Sequence, residues 1–63
     1  MAHDEWTEIE VDKVAAETDQ AILVVIDGED HWLPQSQLDE WPDVGESGTI
    51  MIKTWLAEER GFI

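Results

Sequence analysis

Residues 21–34 read AILVVIDGEDHWLP, and the rest of the chain is built around them. Six consecutive apolar residues, most of them β-branched, lead into Asp27-Gly28, and a second apolar segment follows. An Asp-Gly pair supplies the positive φ angles that a tight two-residue turn needs. The stretch therefore predicts a β-hairpin.

The first strand of this hairpin is apolar on both faces. Strand alternation divides its side chains into two sets, one of Ile22, Val24 and Ile26 and the other of Ala21, Leu23 and Val25. A strand with two apolar faces is typical of a position covered on both sides. We therefore expect it to be the central strand of its sheet.

The segment before the hairpin alternates in the same way. Trp6, Glu8, Glu10 and Asp12 fall on one face, while Thr7, Ile9 and Val11 fall on the other. This pattern predicts a strand from Trp6 to Ala15, antiparallel to the central strand, with a turn at 17–20. A helix over 8–17 also fits part of the spacing, but the β-branched residues favour the strand.

The segments after the hairpin predict an edge strand, a short strand and a helix. Pro34 cannot donate to a ladder, so the third strand ends there or lies at a sheet edge. Residues 36–39 fit a single helical turn or a continued strand. An acidic loop over 40–48 leads to a strand at 49–53. Thr54 is then expected to cap a brief helix that stops at Gly61.

Together these elements predict an α+β domain. We expect a four-stranded, mainly antiparallel sheet curled toward an SH3-like or open barrel, with a short C-terminal helix. Residues 1–63 form one small domain, and residues 1–5 look frayed. The expected core consists of Ile22, Val24, Ile26, Trp32, Ile50, Ile52, Trp55 and Leu56.

Composition points to a cytoplasmic protein. The chain has 63 residues, no Cys and four Trp, with 43% hydrophobic residues, which is too apolar for an acidic disordered tail. No segment approaches the roughly 20 apolar residues of a membrane span. Residues 1–5 lack the basic start of a signal peptide. A domain this small gains stability from a weak dimer or a bound partner, although a monomer is also compatible with the sequence.

The net charge of −13 is the dominant feature of the composition. Between Lys13 and Lys53 there are nine carboxylates and no Lys or Arg. Such a chain repels nucleic acid and anionic membrane and attracts basic proteins. The acidity could instead serve only solubility or reflect a salt-loving source, and the sequence leaves both possibilities open.

A further pattern covers Ala21 to Gly61. The segments AILVVIDGE, WLPQSQ, GESGT and WLAEERG resemble a group of small acidic phage and prophage proteins of unassigned function. In size and charge the chain is also similar to anti-CRISPR proteins, several of which imitate nucleic acid. These resemblances imply a phage inhibitor and carry over no site residue.

No catalytic motif is present. Ser36 and His31 with an Asp are the only nucleophile arrangement available, and no Gly-x-Ser-x-Gly elbow accompanies them. Paired carboxylates are abundant, but 63 residues leave little room for a substrate cleft. We expect no enzyme activity and no cofactor.

The hairpin tip raises the alternative of a metal site. Asp27, Glu29, Asp30 and His31 are adjacent, and oxygen ligands suit Ca²⁺ or Mg²⁺. The EF-hand spacing is absent from both acidic loops, so we expect no dedicated metal site. His31 is more simply a hairpin residue beside carboxylates.

The Trp residues divide by their neighbours. Trp32 and Trp55 lie among apolar residues and are expected in the core. Trp41 and Trp6 lie among carboxylates, where each could fold over the core or stay partly exposed as an anchor for a protein partner.

The preferred function is a phage-encoded inhibitor that imitates DNA. Carboxylates would occupy the basic surface of a nucleic-acid-binding protein, such as a CRISPR effector, in place of phosphates. The alternative is a phage accessory or adaptor protein that binds through an apolar or Trp patch. The predicted partner-binding residues are Glu8, Glu10, Asp12, Asp27, Glu29, Asp30, Asp39, Glu40, Trp41, Asp43 and Glu46.

Overall fold

The computed structural model describes residues 5–63. These residues form six strands and one α-helix: β1 (Trp6–Val11), β2 (Lys13–Glu17), β3 (Ala21–Ile26), β4 (Glu29–Pro34), β5 (Leu38–Glu40), β6 (Gly48–Lys53) and α1 (Thr54–Glu59). Every strand pair is antiparallel. The prediction of an α+β protein with antiparallel strands and a short C-terminal helix is confirmed.

The strands form two sheets of three. One has the order β1-β6-β5 and the other the order β2-β3-β4. The prediction of a single four-stranded sheet is therefore wrong, and the described strands close no barrel. The central position of β3 within its sheet is confirmed, because β3 pairs with both β2 and β4.

The second sheet exists because the first predicted strand is broken at Asp12. Its N–H donates to the Val25 carbonyl at 2.7 Å, and its carboxylate accepts a hydrogen bond from the Gly28 N–H at 3.2 Å. Residues before Asp12 pair with β6, and residues after it pair with β3. The expected strand from Trp6 to Ala15 is thus two strands, one in each sheet, and the helical alternative over 8–17 is wrong.

The hairpin has the predicted turn. Asp27 and Gly28 adopt φ angles of 53° and 80°, and Ile26 pairs with Glu29 across them. Positive φ at both central residues defines the type I′ turn, whose twist matches the twist of the flanking strands.

The segment after β4 combines the two structures that the sequence left open. A 3₁₀ turn covers Gln35–Gln37, and the short edge strand β5 follows it. The loop 41–47 then covers part of the free edge of β2, because Val14 exchanges backbone hydrogen bonds with Gly45 and Glu46 at 2.7 and 3.0 Å.

The helix α1 begins at Thr54 itself, one residue earlier than expected. Lys53 is the N-cap, so the prediction that Thr54 caps the helix is wrong. The Thr54 hydroxyl instead forms a 2.6 Å hydrogen bond with the Thr7 hydroxyl on β1. The predicted stop at Gly61 is confirmed: its φ is 79°, and the Phe62 N–H donates to the Ala57 carbonyl at 2.8 Å, as in a Schellman motif.

The core lies between the two sheets. Of the expected core residues, Ile22, Val24, Ile50, Ile52 and Leu56 are buried, and Ile26 and Trp55 are partly buried against them. Trp32 is not in the core, since 49% of it is exposed. Its neighbour Leu33 points inward opposite Ile22, so alternation turns Trp32 outward opposite Leu23.

The sequence predicts a frayed N-terminal end and no membrane span. The frayed end predicted for residues 1–5 lies outside the described residues except for Glu5, whose carbonyl accepts a hydrogen bond from the Thr54 N–H at 2.9 Å. Within the described part of the chain, no helix has the length and apolar character to cross a membrane.

Candidate functional site

The outer faces of the two sheets differ in chemistry. We call the outer face of β1-β6-β5 the acidic face; its register rows are Glu10–Thr49, Glu8–Met51–Glu40 and Trp6–Lys53. We call the outer face of β2-β3-β4 the apolar face; its register rows are Lys13–Val25–Asp30, Ala16–Leu23–Trp32 and Ala21–Pro34. Both follow from strand alternation, because the inward residues of each sheet fill the shared core.

Carboxylates surround Met51 on the acidic face. Glu8 on β1 and Glu40 on β5 are both register partners of Met51, and Glu10 lies further along β1. All three carboxylate residues are exposed. The β-bulge in β5 leaves Asp39 exposed beside Glu40. The face can therefore present several carboxylates to one partner.

Lys53, the basic residue in the rows of this face, lies over the ring of Trp6. The ammonium of Lys53 lies 4.7 Å from the ring centroid of Trp6. A cation over an aromatic face is attracted by the ring quadrupole. Trp6 is 39% exposed, so the partly exposed position that the sequence allowed for it is confirmed.

A cleft next to the acidic face gathers more of the predicted residues. It has a volume of about 480 Å³ and lies between β1, the hairpin and the C-terminal residues. Glu8, Glu10, Asp27 and Glu29 line it, together with Arg60. The structure thus brings the β1 carboxylates and the hairpin carboxylates together.

The two adjacent acids of the hairpin separate. Glu29 is on the cleft side, where its carboxylate lies 3.9 Å from the His31 imidazole, and that ring packs edge-on against Phe62 at 5.0 Å. Asp30 instead lies at the rim of the apolar face opposite Val25. The carboxylate of Asp12 already accepts a hydrogen bond within the chain, from the Gly28 N–H at the strand break.

The predicted acids from Asp39 to Glu46 lie on β5 and on the loop that follows it. Asp39, Glu40, Trp41 and Thr49 line a cleft of about 510 Å³. Trp41 is half-buried against the core, so it resembles a core residue more than an exposed anchor. Asp43 and Glu46 are exposed on the loop that covers the edge of β2.

The described residues hold no ready metal site. Between residues 5 and 63, no group of three or more His, Asp or Glu side chains is arranged to hold a metal ion. Alternation sends Asp30 and Glu29 to opposite sides of the strand, so the four hairpin-tip residues do not converge.

Sequence reasoning missed three residues of the outer faces. Met51 lies at the centre of the acidic face, and Trp32 and Lys13 lie on the apolar face. The signal for Trp32 was available in the alternation of Trp32 and Leu33. The position of Met51 depends on the pairing of β6 with both β1 and β5, which no local pattern reveals.

Comparisons of this chain with protein-family models, with curated proteins and with solved structures give no match.

Proposed function

We propose that this protein binds a basic nucleic-acid-binding protein through its acidic face and thereby blocks the binding of nucleic acid. The observation that supports this proposal most strongly is the set of exposed carboxylates Glu8, Glu10 and Glu40 around Met51. Proteins that grip phosphates do so with Lys and Arg, and these side chains form charge-assisted hydrogen bonds with carboxylates as well.

The spacing of the carboxylates suits this role. Glu8 and Glu10 are two residues apart on one strand, which separates them by about 7 Å, and Glu8 and Glu40 are two strands apart, or about 10 Å. Because duplex DNA carries a charge every 1.7 Å or so, the face would replace a few phosphates rather than a full turn.

The charge distribution favours a basic partner over any other. The net charge is −13, and Lys53 on the acidic face is paired with Trp6. A cationic groove would be attracted from a distance, and the association would be fast at low salt. This mode of inhibition needs no chemistry of the chain's own. A phage inhibitor of a CRISPR effector in the host cytoplasm, which the sequence resemblance implies, is one protein of this type.

One observation favours the adaptor function as a second candidate. Trp32 is 49% exposed on a sheet face whose other side chains, apart from Lys13 and Asp30, are apolar, and large exposed aromatics are frequent anchors of protein interfaces. The two functions differ in their response to salt. Contacts between charges weaken steeply as salt is added, whereas apolar docking depends on salt only weakly.

The proposal is tested by capture with matched charge variants. Immobilised wild type, Glu8→Lys with Glu40→Lys, and Glu58→Lys with Glu59→Lys are each incubated with a nuclease-treated bacterial lysate. The two double variants change the net charge equally, but Glu58 and Glu59 lie at the end of α1 and outside the register rows of the acidic face. We expect the acidic-face variant to lose the captured basic protein and the helix variant to retain it.

A competition experiment then separates mimicry from the alternative. The captured protein is offered a labelled DNA duplex with increasing amounts of wild-type chain at two salt concentrations. Mimicry predicts that chain and duplex exclude each other and that the chain binds far less tightly at the higher salt. Simultaneous binding of both, or equal losses for the two charge variants, would contradict the proposal.

A further inference from the structure

The apolar face is left open in the single chain. Leu23, Val25 and Ala21 lie on the solvent side of the central strand, and Trp32 beside them is 49% exposed. Monomeric proteins rarely leave a contiguous apolar sheet face uncovered, and such a patch marks an interaction site.

We propose that the apolar face binds a second copy of this chain in a two-fold symmetric dimer. The first reason is charge. The chain carries 16 carboxylates, yet the rows of this face include a single one, Asp30, together with Lys13. Two copies that meet here bring few like charges together, whereas two acidic faces would repel each other.

The second reason is that the face is complementary to itself. A two-fold axis parallel to β3 lays β2 of one copy over β4 of the other, as isologous contacts require. Lys13 and Asp30 flank Val25 in one row, on β2 and β4 respectively. The axis therefore places each Lys13 over Asp30 of the second copy. Within residues 5–63, neither residue forms an ion pair in its own chain.

The same axis also places large side chains of one copy over small side chains of the other. In the next row, the small Ala16 on β2 and the large Trp32 on β4 flank Leu23. Each Trp32 would lie over Ala16 of the second copy, and the two Leu23 side chains would meet at the axis. Large side chains against small ones allow two packed sheets to interdigitate.

The remaining acidity does not prevent this association. Packed sheets lie about 10 Å apart, so the two acidic faces of the dimer would be separated by about three such spacings. That distance is several times the Debye length of about 8 Å at physiological ionic strength, so their repulsion is largely screened. Three short strands offer only about 300 Å² of sheet per copy, below the roughly 800 Å² of a standard interface, so the dimer should be weak.

Sedimentation velocity of the purified chain over a concentration series tests the proposal. We expect a concentration-dependent monomer–dimer equilibrium in the wild type. Trp32→Ala should weaken dimerisation by at least about tenfold in Kd, as loss of an interface anchor does. The matched control Trp6→Ala removes the exposed Trp of the acidic face and should leave Kd within about twofold.

Charge exchange tests the axis itself. Lys13→Asp and Asp30→Lys should each weaken the dimer, because each single variant brings like charges together. The double variant should restore most of the lost affinity, since the axis pairs the two positions reciprocally. These measurements contain only the purified chain, so their outcome is independent of the proposed function.

Three results would overturn the dimer. The wild type could stay monomeric at every concentration, the double charge exchange could fail to restore affinity, or Trp6→Ala could weaken association as much as Trp32→Ala does. A monomeric wild type whose Trp32→Ala variant loses a captured basic protein would also refute it, and would assign the face to that partner instead.

Discussion

The two outer faces of the molecule have the same backbone pattern and opposite chemistry. In β1 the outward positions carry Glu8 and Glu10, whereas in β3 they carry Ala21, Leu23 and Val25. Both strands send apolar side chains inward to one core. An antiparallel sheet usually pairs an apolar inner face with a polar outer face, and only β1-β6-β5 follows that rule.

This difference leaves the two outer faces suited to different kinds of contact. The second apolar face of β3 predicts cover on both sides, but the chain covers only the inner one, where Ile22 and Val24 are fully buried. The surplus apolar character is therefore available for association. The acidic face has no such apolar surplus, and its exposed carboxylates suit contacts with positive charges.

The largest expected effect comes from a charge placed on the inner side of β3. Val24→Asp puts a carboxylate into the core, and burial of an unpaired charge costs more than the few kcal/mol of stability that a domain of this size has. We expect the variant to be unfolded by circular dichroism. The neighbouring Val25→Asp points outward and should retain a cooperative melting transition. A folded Val24→Asp variant would show that the inner face of β3 is not core.

A smaller effect is expected at the turn that positions β4. Gly28 has a φ of 80°, and a Cβ there would contact nothing within 4 Å, so Gly28→Ala changes backbone strain alone. A left-handed backbone costs a side-chain-bearing residue about 1–2 kcal/mol, and we expect that loss of stability in urea unfolding. Gly28→Asn should lose less, because Asn tolerates this conformation. Equal stability of Gly28→Ala and wild type would contradict the type I′ turn.

A still smaller effect on stability is expected from replacing the two lysines of the strands, Lys53 and Lys13. Lys53→Glu removes the cation over Trp6 and adds a carboxylate to the acidic face, which should cost about 1 kcal/mol. Lys13→Glu makes the same charge change on the apolar face, where we expect a smaller loss of monomer stability. Thermal melts at low protein concentration compare the two. An equal loss for both lysines would show that the Trp6 contact adds nothing.

The smallest expected effect is the response of stability to salt. The core carries the fold, so the domain should be folded in dilute buffer, and KCl should raise Tm by only a few degrees as it screens repulsion. Glu8→Lys with Glu40→Lys should flatten this dependence. A domain that is unfolded in dilute buffer and folds only in molar salt would identify the acidity as adaptation to high salt.

Local patterns predict the hairpin, the alternation and the helix stop. The turn at Asp27-Gly28 and the end of α1 at Gly61 depend on a few adjacent residues whose φ preferences are strong. Alternation correctly divided the Glu and Ile positions of β1 between outside and inside. These features are local, which is why the sequence was sufficient for them.

The arrangement of two sheets could not be predicted in this way. The alternation changes phase after Val11, because Lys13 takes what would be the next inward position and Val14 is the next buried residue. The pairing of each half with its own sheet depends on hydrogen bonds of Asp12 with Val25 and Gly28, far along the chain. The same long-range pairing assembles the acidic face, where Glu8 and Glu40 come together only through β6.

The assignment of one partner to each face is tested most directly by the indole N–H signals of the four Trp residues in NMR spectra. Trp6 reports on the acidic face and Trp32 on the apolar face, while Trp55 packs against the core and serves as an internal control. Dilution of the pure chain should shift the Trp32 signal alone. Addition of a Lys- and Arg-rich DNA-binding domain should shift the Trp6 signal and leave Trp32 in place. A Trp32 signal that does not shift on dilution would contradict the assignment of one partner to each face. Signals of Trp6 and Trp32 that shift together in both titrations would contradict it as well.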